Sequence, residues 1–197
     1  ITLWYFLFQR LSQNHRLSHV VQDARDGGAD RLSPKGKRLS LKLTSEATTS
    51  FSDARQRFPL DILHQCLRHI AQRVGASFST ALWLGHKVAL TDGSTLRMRP
   101  LGDMVKHFPP HRPGNCKKPP YWCVSRVVGM FCLATGVVLD TAMGQLTTSE
   151  QAVCSQLLLQ AQSWVDWVLV TDRNFGVYSV ARSVRQVRAH LLSRMTQ

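Results

Sequence analysis

Acidic side chains are scarce in this chain. Its 197 residues hold 12 Asp+Glu against 25 Lys+Arg, a formal net charge of +13 with a pI near 10.3. Glu46 and Glu150 are the only glutamates, and residues 173–197 carry no acidic side chain at all. The deficit is not confined to a tail: residues 1–86 hold 12 basic and 6 acidic residues, and residues 87–197 hold 13 and 6. A cationic excess in both halves fits a polyanion lying across both, and explains itself less economically through acidic proteins or membranes. Long hydrophobic runs are missing too. The apolar start Ile1–Phe8 is too short to span a bilayer and lacks the basic flank and small-residue cleavage site of a signal peptide, so it reads as a core helix. The five cysteines form no C-x-x-C pair and stand near no ligand-spaced His cluster, which excludes a recognisable zinc site or disulfide framework and leaves free thiols in a reducing compartment.

What is present suffices for a core, since 44% of the residues are hydrophobic. The first 86 residues read as helical. An apolar segment runs to about Leu11, an amphipathic one from about Arg16 to Ala24, and a longer one from Pro59 to Val74. In the last of these Leu60, Leu63, Leu67 and Ile70 recur at helical spacing and predict a core face. Between the second and third, Gly27–Arg38 is rich in breakers and positive charge and predicts a mobile basic loop. Its Lys35, Lys37 and Arg38 are either a solvated surface or a DNA contact.

From residue 87 the period changes to that of strands. His86–Thr91 is a strand that Ser94–Met98 continues, and Pro100–Trp122 is an excursion without a clear period. Arg126–Leu133 and Val137–Ala142 form a hairpin through Ala134-Thr-Gly136. A helix follows Thr147–Gln151 to about Gln162, with Glu150 read as part of its capping box. Trp167–Thr171 is a strand, Gly176–Val187 a helix and Ala189–Met195 a last strand. The order is a three-strand meander followed by α-β-α-β. With the fourth strand parallel beside the first, the carboxyl ends of both meet at one edge of the sheet.

Asp92 and Asp172 stand at those ends, in Val88-Ala-Leu-Thr-Asp-Gly-Ser94 and Trp167-Val-Leu-Val-Thr-Asp-Arg-Asn-Phe-Gly176. Either alone is weak, because Asp before Gly or Asn commonly just ends a strand. Two carboxylates side by side repel unless a cation lies between them, and Mg²⁺ or Mn²⁺ prefers such oxygen ligands while keeping positions for water and phosphate. Placed in a basic protein, they point to metal-dependent phosphodiester chemistry.

Val88–Leu96, Arg126–Leu139, Leu146–Glu150 and Val170–Tyr178 together resemble, in order, the successive blocks of bacterial insertion-sequence-four family transposases. The likeness runs from about residue 87 to the end, and more loosely reaches Thr49–Pro59 and the aromatic first helix. It implies a DNA transposase with an Asp-Asp-Glu triad on a ribonuclease-H-like α+β or α/β fold, in which Asp92 and Asp172 are the first two catalytic, metal-binding carboxylates. Residues 1–86 would be an N-terminal helical, DNA-contacting region and residues 87–197 a partial catalytic core. The implied cofactor is Mg²⁺ (or Mn²⁺), and the partners are double-stranded DNA, as transposon ends and target, with a homodimer in the synaptic complex and no membrane. The implied setting is a bacterial cytoplasm, on the nucleoid. Lys117 and Lys118 would track a phosphate backbone; Arg173 would neutralise a phosphate beside the metal or form an ordinary ion pair.

The sequence departs from that family twice. The family's third carboxylate is a downstream glutamate on a helix with a Tyr, Arg, Glu and Lys pattern, which these residues do not contain, so the chain, which also begins on Ile1, is expected to be a fragment truncated before it. Asn174 stands where the family more often has Gly, with an amide that tolerates the same left-handed backbone. Two other readings stay open: a non-catalytic DNA-binding remnant, and another ribonuclease-H-like nuclease.

Overall fold

The computed structural model describes residues 1–33, 38–80, 82–110, 121–160 and 163–194. The chain divides into two compact units, Ile1–Leu63 and His64–Gln197.

The first unit is helical. α1 (Thr2–Leu11), α2 (Leu17–Arg25) and α3 (Thr49–Gln56) enclose a small core of Tyr5, Val20, Ala24 and Ala29, with Phe8, Leu39, Leu43 and Phe51 packed against it. The rings of Phe8 and Phe51 stand edge-on to Tyr5 at 6.2 and 6.4 Å, an arrangement that aromatic quadrupoles favour. The described part of the basic loop is more built than its composition predicts. Gly27 takes φ +85, which only glycine adopts without strain, and lets the chain turn into a 3-10 helix at Asp30–Leu32. Ala29 enters the core, and the Asp30 carboxylate accepts hydrogen bonds from the hydroxyl and backbone N–H of Ser40. Those bonds hold its carboxyl below the ordinary carboxylate range. A local breaker count does not register such a contact across ten residues.

α4 (Leu60–Ser77) forms where the periodicity places it, but with a different face inward. Leu60 is 64% and Ile70 51% exposed, whereas Ala71 is buried and Leu63 and Leu67 are half-buried. The rotation follows from a polar contact. Arg68 and His64 of this helix reach the fully buried carboxylate of Asp140, with Arg68 Nη2 2.8 Å from Oδ2 and His64 Nδ1 3.4 Å from Oδ1.

The second unit is built on a five-stranded mixed sheet in the order β3-β2-β1-β4-β5. β1 (Lys87–Met98), β2 (Cys123–Cys132) and β3 (Val138–Gln145) form the antiparallel meander, with Gly136 at φ +69 in the β2–β3 turn. β4 (Trp167–Thr171) runs parallel to β1, and β5 (His190–Ser193) parallel to β4. α5 (Met104–His107) lies in the excursion after β1. α6 (Glu150–Gln160) connects β3 to β4, and α7 (Tyr178–Gln186) connects β4 to β5. This is the ribonuclease-H-like mixed sheet read from the sequence, with the fourth strand parallel beside the first.

The core of this unit lies between the sheet and its helices. Val153, Cys154, Leu157 and Leu158 of α6 and Val180 and Val184 of α7 pack with Ala89, Val128, Met130 and Leu169 of the strands. Trp164 is fully buried and edge-on to Trp167 at 5.5 Å, as a packing residue should be. Close approach of α6 to the sheet depends on Gly144 of β3, where an added Cβ would lie 2.7 Å from Val153 Cγ2. Cys66, Cys123, Cys132 and Cys154 are free thiols, and burial pushes Cys154 up to about 12, so it packs as a neutral apolar group.

Candidate metal and nucleic-acid site

The parallel pairing of β1 with β4 aligns Lys87 with Trp167 and continues residue by residue to Thr91 with Thr171. The next residue on each chain is an aspartate. Adjacent strands are about 4.8 Å apart, so the register brings Asp92 and Asp172 to neighbouring positions across 80 residues of sequence. Both are exposed.

They are held differently. β1 does not end at Asp92: pairing with β2 carries it on to Met98, and Asp92 lies opposite Gly129. The Gly-Ser that follows therefore does not turn the chain, because the β2 ladder keeps it extended. Asp172 does leave its strand. It caps the 3-10 turn Arg173–Phe175, its Oδ1 accepting the Asn174 N–H at 3.0 Å while its carbonyl accepts the Ser193 hydroxyl at 2.9 Å. Phe175 is buried beneath the turn. Asp92 Oδ1 accepts the Gly93 N–H at 2.8 Å. Each carboxylate thus has one oxygen engaged by a backbone N–H and its Oδ2 directed to no donor among the described residues. Hard, exposed oxygens without a cationic partner are the donor chemistry of Mg²⁺ and Mn²⁺.

Around this pair lies an arrangement that local sequence reading missed. Ser149, and not a Thr-Glu capping box, caps α6: its Oγ accepts the Ala152 N–H at 3.1 Å. Glu150 instead bridges elements. Its Oε1 accepts from Arg126 Nη1 of β2 at 2.8 Å, and its Oε2 accepts from Asn174 Nδ2 at 2.6 Å. Arg126 also donates to the Leu146 carbonyl at 3.2 Å, and Gln151 Nε2 donates to both oxygens of Asn174 at 2.9 Å. Asn174 therefore joins Glu150 to Asp172. It serves through its amide and not through a left-handed backbone, since it sits within the 3-10 turn and, among the described residues, the positive-φ non-glycine residues are Leu84, Asp166 and Arg188. Both Glu150 oxygens are occupied by donors. Among the described residues no group of three or more His, Cys, Asp or Glu is placed to hold a metal ion.

Gly93 is the signal in the sequence that could have revealed this. A Cβ there would lie 2.7 Å from Glu150 Cδ and 3.0 Å from its Oε1, so glycine leaves the room in which Glu150 reaches Arg126 and Asn174. Gly93→Ala is expected to destabilise the fold by about 1–3 kcal/mol through overpacking. Urea denaturation checks this. In Glu150→Ala the same change should cost less than half as much, because the obstructing carboxylate is gone.

Of the cationic candidates, Arg173 and Arg38 are exposed, while Lys35, Lys37, Lys117 and Lys118 lie outside the described residues. Among the described residues no helix is long and apolar enough to cross a membrane.

No known family model matches this chain, and comparison with curated proteins finds no match. Among solved structures, it is similar to a Mos1 transposase paired-end complex with the left transposon end, at 9% identity and a TM-score of 0.37, over 94% of this chain and 61% of that one. It is also similar to a Mos1 mariner paired-end complex with Mn, at 11% identity and a TM-score of 0.33, over 91% and 59%. A pre-cleavage Mos1 transpososome stands at 11% identity and a TM-score of 0.35, with the same coverage of 91% and 59%. The chain spans about three-fifths of the length of these structures.

Proposed function

We propose that this chain is part of a DNA transposase of the Asp-Asp-Glu type, related to the bacterial insertion-sequence-four family, whose reaction is metal-dependent phosphodiester cleavage and strand transfer. The observation that carries this reading is the β1–β4 register, which sets Asp92 and Asp172 on neighbouring strands at the point where β4 ends beside β1, in a protein of net charge +13. Asp92 and Asp172 would hold Mg²⁺ or Mn²⁺, which when bound supplies Lewis-acid activation of the attacking oxygen and charge stabilisation at the leaving one.

The chain's own residues do the placing. The β1–β2 ladder, in which Asp92 lies opposite Gly129, fixes Asp92, and the Asn174 turn fixes Asp172. Arg126 and Asn174 hold Glu150, so that it braces the turn. Arg173, exposed beside Asp172, would meet a phosphate. Residues 1–86 would add a DNA-contacting surface, in which Lys35, Lys37 and Arg38 take part, and Lys117 and Lys118 would contribute from the excursion after β1. Duplex DNA, as transposon ends and target, is the partner. A homodimer in the synaptic complex and a place in the bacterial cytoplasm belong to the same reading.

The absence of a third metal-ligating residue beside the two aspartates, among the described residues, favours a second reading, a DNA-binding remnant without chemistry. Both predict that the 197-residue chain binds duplex DNA with little sequence preference. Its affinity should fall linearly in log–log with salt, with a slope of about −0.9 for each phosphate neutralised. Fluorescence anisotropy across a KCl series reads this. A folded sample that fails to bind at low salt, or binds independently of salt, would sink both readings.

A further inference from the structure

α7 is sharply two-sided. Val180, Ser183 and Val184 are buried against the sheet and α6, while Tyr178, Arg182 and Arg185 are all exposed. At 100° per residue these three fall within about 60° of one another on the outward meridian of the helix. Tyr178 is 82% exposed, an unusual position for a large ring that nothing in the fold needs there. Neither arginine makes an ion pair among the described residues. No acidic residue lies anywhere from 173 onward to pair with them. The helix begins six residues after Asp172, with exposed Arg173 between.

A solvated helix face ordinarily mixes signs, which adds helix stability through i,i+4 pairs; here the arginines stand without counter-charge. Tyr178 to Arg185 spans seven residues, roughly 10 Å of helix, about the rise of three phosphates along one DNA strand. Arginine forks match phosphate oxygens, and a phenolic O–H is a further phosphate donor. We propose that the outward face of α7 is a phosphate-binding strip that leads a duplex DNA backbone toward the Asp92–Asp172 site. Arg182 and Arg185 each neutralise a phosphate, and Tyr178 donates a hydrogen bond to the one nearer the aspartates. This rests on the reading of the chain as a DNA-binding transposase part, and it names the surface that does the holding.

The test uses the whole 197-residue chain, a 30-base-pair duplex and anisotropy across a KCl series. Arg182→Ala/Arg185→Ala should flatten the salt slope by about 1.8, the contribution of two phosphates. Arg97→Ala/Arg99→Ala, an equal loss of charge from exposed residues at and just beyond the end of β1, should flatten it by less than about 0.5. Arg182→Lys/Arg185→Lys should keep the parent slope, and Tyr178→Phe should weaken binding about 3- to 10-fold at every salt with the slope unchanged. Circular dichroism establishes that each variant is folded. If the α7 pair flattens the slope no more than the β1 pair while the parent still binds, the strip is wrong and the wider reading stands. If the folded parent does not bind at low salt, both fall. Tighter binding of the parent to polyglutamate than to duplex DNA, lost in the α7 pair, would assign the strip to an acidic protein and overturn the proposal.

Discussion

Replacing Asp92 or Asp172 with Asn is expected to weaken Mn²⁺ binding by the 197-residue chain about 30-fold. The magnitude follows from charge. A divalent ion about 4 Å from a unit negative charge in well-solvated surroundings gains about 2 kcal/mol from it, and Asn keeps the shape while removing the charge. Replacing both should abolish measurable binding and not merely square the effect, because neither Asn supplies an anionic ligand. Titration followed by electron paramagnetic resonance of free Mn²⁺ gives the affinities. Asp103→Asn is the control, an exposed carboxylate at the N-cap of α5 that pairs with Lys106 of that helix. Duplex DNA binding without metal should survive all of these changes. Strand cleavage by this chain is not expected, since two carboxylates leave a second ion under-ligated and Glu150 spends both oxygens on Arg126 and Asn174. Equal Mn²⁺ affinity in parent and Asp92→Asn would remove the aspartate pair from the metal site. Cleavage that disappears on Glu150→Gln would show that Glu150 leaves its donors to serve as a ligand.

The sheet was legible because its signals are either local or forced by handedness. Short apolar runs, Gly136 in a two-strand connection and a helical crossover between parallel strands leave few topologies open, and the one they favour is the one observed. Of the candidate site, only the juxtaposition of Asp92 and Asp172 was legible. Glu150 carries a locally plausible capping role, and nothing in its own neighbourhood announces partners 24 residues away on either side. The same limit explains α4. Apolar spacing selects Leu60 and Ile70 for the core, but the turn of the helix is set by a buried carboxylate 72 residues from Arg68, and a periodicity count gives arginine no inward weight. Gly93 was read as a turn residue after Asp92, although the helix-borne Glu150 above it is what excludes a side chain. In each case the physical cause is a polar contact between distant elements, which hydrophobic pattern does not encode.

That buried carboxylate leads to the other large expected effect. Asp140 has no exposed side-chain surface, and its oxygens are met by Arg68 Nε at 2.9 Å and Nη2 at 2.8 Å, His64 Nδ1 at 3.4 Å and the Thr141 N–H at 2.9 Å. Arg68→Ala removes the one permanent cation and leaves an anion in the core with a single backbone donor and a long histidine contact. Breaking a buried pair from one side costs about 3–5 kcal/mol, and because the Arg68 side chain is itself 31% exposed, about 2–4 kcal/mol is the expected loss here. With a slope of about 1–3 kcal/mol per molar urea, the midpoint should fall by roughly 1–2 M without a change of slope. Asp140→Asn/Arg68→Ala separates charge from packing. The double variant no longer buries an unpaired anion, so it should be more stable than Arg68→Ala alone, a sign reversal that simple loss of contacts does not produce. A double variant less stable than Arg68→Ala would mean that Asp140 is held by its backbone and histidine contacts and that Arg68 contributes only packing.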